Sequence, residues 1–212
     1  YNTNGGSGSL EASDFSLSIT GGTATVSSAT PTSISPSGNT YTLGIGLTGT
    51  PDGSEVLTVV PVSNGIYDAA GNEASTTQSN NTATLNDQLV PTITGVTLAA
   101  NNSTIAVTFS EAVYNTNGGS GALETSDFSF SIGASSGGGT VTLNSTTPTS
   151  ISASGNEYTL GINLSDIPDG SEVLTVNPVD DGVYDVAGNE ANTDQSPNNT
   201  DNLNDKLPPT LA

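Results

Sequence analysis

Seven residues of this chain, Asn86, Asp87, Glu111, Asp127, Asp185, Asn189 and Glu190, carry oxygen chemistry at positions where a fold could gather it. Glu111 and Asp127 bracket the stretch SEAVYNTNGGSGALETSD, Asp185, Asn189 and Glu190 fall within VYDVAGNEA, and Asn86 and Asp87 open NDQLVP. If the three stretches meet, carboxylates converge with no cationic side chain to neutralise them, because the chain has one basic residue, Lys206, against 21 acidic ones. Converging carboxylates raise one another's pKa and repel unless a cation lies between them. Calcium is the expected ion, since it takes about six to eight hard oxygen ligands in flexible geometry. Softer transition metals favour His and Cys, and the sequence has neither. The competing expectation is that these acids are solvated loop residues, with DAAGN and DVAGN serving as tight turns in which Gly71 and Gly188 supply positive φ.

Other chemistries are excluded more sharply. Without His, Cys, Arg or Trp there is no nucleophilic triad and little means for phosphoryl or redox chemistry. A carboxylate pair of the glycosidase kind is the remaining catalytic option, and it needs a cleft with sugar-stacking aromatics. The tyrosines do not supply one, because Tyr41 and Tyr158 alternate inward on strands and Tyr67 and Tyr184 stand beside the AGN turns. No enzyme is expected. A formal charge of −20 disfavours nucleic acid and anionic membrane surfaces as partners. The lack of cysteine leaves packing or metal ions to hold an extracellular fold together. The remaining acids have plainer readings: Asp52, Glu55, Asp169 and Glu172 in the two PDGSE segments as turn residues, Asp180 and Asp181 as solvated charges.

The elements that must position the oxygen ligands follow from a repeat. LEASDFSLSI matches LETSDFSFSI, SGNTYTLGIGL matches SGNEYTLGINL, PDGSEVLTVVPV matches PDGSEVLTVNPV, and LNDQLVPT matches LNDKLPPT. The period is domain-sized. In the complete copy, short apolar alternations bounded by Gly, Pro and Asn mark strands at 92–98, 105–109, 128–132, 140–143 (with an extension to 152 left open), 158–164, 172–176 and 199–204. The position shared by Val60 and Asn177 is expected to face water, with Leu174 and Val176 facing in. About seven short strands without a helical period imply an all-β chain of tandem immunoglobulin-like β-sandwich domains. In such a sandwich the loops after the second and sixth strands share a pole with the incoming linker, which is what would gather the seven ligands. Were 140–152 two strands instead of one, the last loop would flip to the opposite pole and the constellation would dissolve.

VTFSEAVY, SDFSFSI, SGNEYTLGI, YDVAGNEA and LNDKLPPT together resemble the bacterial immunoglobulin-like tandem repeats of large surface proteins and adhesins, including the swimming-motility-protein type. The resemblance covers nearly the whole chain and implies an extracellular, cell-surface location. LNDQLVP is also loosely similar to the linkers at which cadherin repeats bind calcium.

The expected domains are an incomplete repeat at 1–86 lacking its first two strands, a complete repeat at 87–204, and the start of a third at 205–212. Residues 91–113 have no counterpart ahead of Tyr1, so Phe15, Ile19 and Leu43 are expected to line an open core. That core is completed either within a longer array or by strands from a neighbouring chain. The expected function is a structural stalk or fibre module, stiffened by calcium at domain junctions, whose partners are neighbouring repeats or adjacent subunits of a fibre. The alternatives are an adhesive module presenting the Gly-rich YNTNGGSG loops, or a filament subunit. Asn102 and Asn144 begin glycosylation sequons.

Overall fold

A computed structural model describes residues 1–134 and 141–209, the side chain of Ala134 excepted. The chain is all-β. Its described helical elements are two single-turn 3-10 helices, Ala12–Asp14 and Thr125–Asp127, and no described helix is long and apolar enough to cross a membrane. Two compact units divide between Leu89 and Val90.

Unit 1 contains β1 (Phe15–Thr20), β2 (Thr25–Val26), β3 (Ser33–Ser37), β4 (Thr40–Gly44), β5 (Leu47–Thr48), β6 (Val56–Pro61) and β7 (Thr82–Thr84). Unit 2 contains β8 (Ile93–Leu98), β9 (Thr104–Phe109), β10 (Phe128–Ala134), β11 (Ile151–Ser154), β12 (Glu157–Gly161), β13 (Glu172–Pro178) and β14 (Thr200–Asn202). All pairings are antiparallel, as expected for short strands joined by turns.

In unit 2 a sheet ordered β11-β12-β9-β8 faces a sheet ordered β10-β13-β14. The period-two alternation sends Ile105, Val107 and Phe109 of β9 inward to meet Phe128 and Phe130 of β10 and Leu174 and Val176 of β13, all of them buried. Three rings form the centre: Phe109 and Tyr158 stack edge-on at 5.9 Å, while Phe128 lies 6.2 Å from Phe109 and 6.3 Å from Tyr158. Aromatic pairs favour such tilted and edge-to-face arrangements.

The segment following β10 resolves the question of one strand or two. Part of the expected 140–143 strand lies outside the described residues. Leu143 bridges Leu164 and Ile151 pairs with Leu160, both antiparallel. Both therefore run in the same direction against one ascending course, 157–164, and form one interrupted strand with an excursion at 144–150. Although β11 is a separate element, the direction of every later strand is kept, and the last long loop stays at the same pole as the loop after β9.

Unit 1 repeats the β10-β13-β14 pattern as β1-β6-β7, and the β11-β12 hairpin as β3-β4. Among the described residues β4 pairs with β3 alone, where β12 pairs with both β11 and β9. The side of unit 1 that corresponds to β9 is an open groove of about 430 Å³ lined by Phe15, Leu17, Tyr41, Leu43, Leu57 and Val59, among others. The expectation of an open core there holds for Phe15 and Leu43, which are half-buried on its wall.

Two sequence expectations need correction. Asn177 is half-buried, and its side-chain amide lies 2.6 Å from that of Asn199, so the segment preceding β14 covers a position expected to face water. Asn102, which begins a sequon, is buried at positive φ, where its amide pairs with the backbone of Asn204.

Candidate metal centre

The site in unit 2 is assembled by one bridge. Tyr114 and Tyr184 exchange backbone hydrogen bonds of 2.7 and 2.8 Å, which clips the loop after β9 to the loop after β13. Glu111 precedes Tyr114 by three residues and Asp185 follows Tyr184 directly, so the clip draws both acids to one place. A carboxylate oxygen of Glu111 lies within 4.8 Å of one from Asp185.

Asp185 is fully buried. Its Oδ1 accepts from the N–H groups of Gly188 (2.7 Å) and Asn189 (2.8 Å), and its Oδ2 accepts from Asn189 Nδ2 at 2.7 Å. The Asp185 N–H in turn donates to Asn189 O at 3.0 Å, closing the turn with Gly188 at φ +94°. DVAGN is thus the tight turn that the plainer reading foresaw, and the same turn aims a carboxylate at Glu111. Unit 1 closes its DAAGN turn with the same two asparagine bonds and a different third donor: Asp68 Oδ1 accepts from Ala70 N and Asn72 N, and Oδ2 from Asn72 Nδ2. Those bonds, above all the one from the Asn72 side chain, hold the Asp68 carboxyl below its ordinary range.

Asp127 and Glu190 are spent on their own loops. Asp127 Oδ2 accepts from Glu124 N at 2.7 Å, capping the 3-10 turn, and burial pushes its carboxyl upward. Glu190 Oε1 accepts from Asp181 N at 2.6 Å. Nearby, the Tyr184 hydroxyl donates to Asp181 Oδ1 and is pushed up to about 12 by burial first, then by that bond and the charges of Asp181, Glu190 and Asp180. Asn189 contributes by orienting Asp185.

Asn86 and Asp87 belong to unit 1. Asp87 Oδ1 accepts from Leu89 N at 2.9 Å, and the Asp87 side chain packs on Gly53 so closely that a Cβ there would approach it to 3.1 Å. Asp205 stands in the same relation to Gly170.

Glu111 and Asp185 fit a divalent cation of the calcium class. Two oxygens bound at about 2.3–2.6 Å from one ion are at most about 5 Å apart, which accommodates the observed separation. The single basic side chain of the sequence, Lys206, lies in the segment leaving unit 2, so no lysine or arginine stands between the acids in sequence.

Sequence reasoning assigned Glu55 and Glu172 to turns and missed their real position. Both are buried. Glu55 accepts from the backbone N–H groups of Thr23, Ala24 and Asp52. The Ala24 bond is the largest influence holding its carboxyl below the ordinary range, with burial opposing. The turn itself closes through Asp52 Oδ1, which accepts from Ser54 N. The signal was present in the alternation: Glu55, Leu57 and Val59 are spaced by two and share one inward face.

Comparison with family models, curated proteins and solved structures gave no match.

Proposed function

We propose that this chain is a structural stalk or fibre module of an extracellular bacterial surface protein, built from tandem immunoglobulin-like sandwiches and stiffened by calcium where one unit hands over to the next. The observation carrying this reading is that each unit pins its own exit segment in the same way. Leu85 N donates to Glu55 O at 3.0 Å and Leu203 N to Glu172 O at 2.9 Å. Gln88 N donates to Pro51 O at 2.9 Å and Lys206 N to Pro168 O at 2.8 Å, while Leu89 N and Leu207 N each close onto the preceding Asp side chain. A repeated, clamped exit suits a module whose task is to span distance, because it gives each handover the same starting direction.

Calcium enters through Glu111, Asp185 and Asp87. Asp87 stands five residues before Thr92, and Thr92 is paired with Ser110, the neighbour of Glu111. Five residues reach at most about 18 Å, so the covalent chain alone keeps Asp87 in the neighbourhood of that pair. An ion shared by an exit residue and the next unit's loops would fix the angle of the joint, and without it acidic repulsion would leave the joint extended but loose. The reading assigns no catalytic step.

The test is thermal unfolding of the chain in calcium and in chelator, followed with Asp87→Ala and Glu111→Gln. A calcium-dependent rise in melting temperature that either substitution removes supports the metal joint. No response to calcium in the unsubstituted chain sinks the metal and leaves a metal-free array.

An adhesive role for the Gly-rich loops is favoured by one observation. The YNTNGGSG hairpins are docked on their own AGN turns, where a Cβ on Gly6 would meet Ala69 Cα at 2.8 Å and one on Gly119 would meet Val186 Cγ2 at 2.8 Å. A loop held that firmly is pre-organised for contact.

A further inference from the structure

The dipeptide Asn-Gly occurs three times, at Asn4-Gly5, Asn64-Gly65 and Asn117-Gly118. An asparagine followed by glycine can cyclise on itself, because a residue without a side chain lets its backbone nitrogen swing onto the asparagine Cγ. The nitrogen must be free to lose its proton, and the asparagine must be free to turn. The fold separates the three sites on both counts.

At Asn64 both freedoms are removed. The Gly65 N–H donates to Val62 O at 2.9 Å, and Gly65 is buried. Asn64 is held at φ +60°. Its N–H donates to Glu73 Oε1, its Oδ1 accepts from the Tyr67 hydroxyl, and its Nδ2 donates to Ser63 Oγ. In unit 2 Asp181 makes the first two of these bonds, with Glu190 and Tyr184, so the position is a structural joint in both units. Asn117 is placed differently. It stands at the tip of the hairpin closed by the bridge between Thr116 and Ser120, and both Asn117 and Gly118 are exposed. Among the described residues nothing accepts a hydrogen bond from Gly118 N, and a Cβ on Gly118 would meet no atom within 4 Å. The Asn117 side chain is restrained by one long bond, from Nδ2 to Gly188 O at 3.4 Å. Asn4 is exposed in the same way, and a Cβ on Gly71 would meet its Oδ1 at 2.6 Å.

We propose that Asn117-Gly118 is a self-modification site, at which the hairpin converts its own asparagine to aspartate or isoaspartate and so lets go of the DVAGN turn. Gly118 N gives its proton to a base in the solvent and bonds to Asn117 Cγ. The Cγ–Nδ2 bond then breaks, and the nitrogen leaves as ammonia with a proton from water. Water opens the resulting cyclic imide at either carbonyl, with no oxidation or reduction. Opening at Cγ gives aspartate, and opening at the backbone carbonyl gives isoaspartate. Both products lose the Nδ2 donor. Aspartate sets a carboxylate against Gly188 O, turning an attraction into a repulsion. Isoaspartate lengthens the main chain by one carbon within the short tip that the bridge closes. The proposal is independent of calcium, since no reacting atom belongs to Glu111 or Asp185.

The experiment incubates the full chain in mildly alkaline buffer, folded and in urea, and follows each Asn-Gly by peptide mass spectrometry. In the folded chain Asn117 and Asn4 should react at least about tenfold faster than Asn64, the rate equivalent of one hydrogen bond kept up to the barrier. In urea the three rates should converge, because the fold alone distinguishes the sites. A folded chain in which Asn64 keeps pace with Asn117 overturns the proposal. So does one in which Asn117 stays intact while reacting in urea. Asn117→Asp reads the consequence directly: hydrogen exchange across residues 116–120 should quicken, with β9 and β13 unchanged. Exchange that stays as slow as in the unsubstituted chain overturns the release of the hairpin.

Discussion

Tyr41 and Tyr158 occupy the same place in two nearly identical hairpins, yet Tyr41 is 36% exposed and Tyr158 is 7% exposed. Two residues further along each strand, Leu43 is half-buried and Leu160 fully buried, and at the next inward position Ile45 is 40% exposed and Ile162 is 9%. The hydrogen-bond ladders of β3-β4 and β11-β12 are nevertheless the same, position for position. The difference teaches that pairing in these hairpins is local, set by turn and alternation. Burial is not local: it depends on β8 and β9, which arrive from another part of the chain. Unit 1 shares the β3-β4 hairpin ladder with unit 2 but, among the described residues, not the strands that bury its inner face.

The largest effect that would sharpen this comparison is Phe109→Ala. Removing the ring at the centre of the trio should cost unit 2 about 3–5 kcal/mol, the usual range for a buried phenylalanine. Tyr41→Ala should cost unit 1 far less, because much of that side chain already meets water. Denaturant unfolding with exchange read separately in each unit measures both. Equal losses would mean that the unit 1 groove is covered in solution, and the comparison would break.

A smaller effect tests how the exit of unit 2 is held. Asn102 Nδ2 donates to Asn204 O at 2.8 Å and its Oδ1 accepts from Asn204 N at 2.9 Å, joining the β8-β9 turn to the segment after β14. Asn102→Ala should destabilise unit 2 by about 1–3 kcal/mol, the range for buried polar groups left unpaired. The stability of unit 1, which lacks that turn among the described residues, should not change. Loss in both units on the same titration would show that they unfold as one.

Acid should weaken unit 1 through its hydrogen-bonded carboxylates. Asp52, Glu55 and Asp68 in unit 1 all hold protons more weakly than their ordinary values when folded, each through hydrogen bonds to the carboxylate. In unit 2, Asp169 is lowered by its bonds from Ser171, whereas Asp127 is raised by burial. A lowered carboxyl contributes stability that is present above its unfolded pKa, near 4, and is lost as pH falls through the folded value. The raised carboxyl of Asp127 works the other way, since its folded form gains relative to the unfolded chain on protonation. Unit 1 should therefore lose stability between about pH 5 and pH 2, while in unit 2 protonation of Asp127 should offset part of the loss from Asp169. Melting curves across that range should show the unit 1 transition falling as pH drops; a transition that stays constant would refute this.

The all-β class was legible because alternation is a local signal, visible at 105–109 and 128–132 without knowledge of partners. The meeting of Glu111 and Asp185 was legible for a topological reason, as strand direction decides which loops share a pole. What could not be seen was how each carboxylate would be spent. Asp127 and Glu190 looked equivalent to Asp185, but their hydrogen bonds go to backbone groups three and nine residues away, and such choices depend on loop geometry that composition does not carry. Glu55 was misread for the opposite reason. Its place on an inward face was plain from spacing, and the turn signature of PDGSE, with Pro51 presetting φ, outweighed it.

The smallest difference expected between the units concerns the turn they share. Gly71 and Gly188 stand at φ +88° and +94°, and a Cβ at either would collide with an asparagine side-chain oxygen, Asn4 in unit 1 and Asn117 in unit 2. Both turns are closed by the same Asp-to-Asn bonds, within five residues of chain. Gly71→Ala and Gly188→Ala should thus each cost about 1 kcal/mol or somewhat more, with little difference between them despite the open core of one unit and the closed core of the other. If Gly188→Ala costs clearly more only when calcium is present, the turn owes part of its stability to an ion at Asp185. If the two losses match in calcium and in chelator alike, the turn is self-contained and the carboxylate it aims at Glu111 binds no metal that bears on stability.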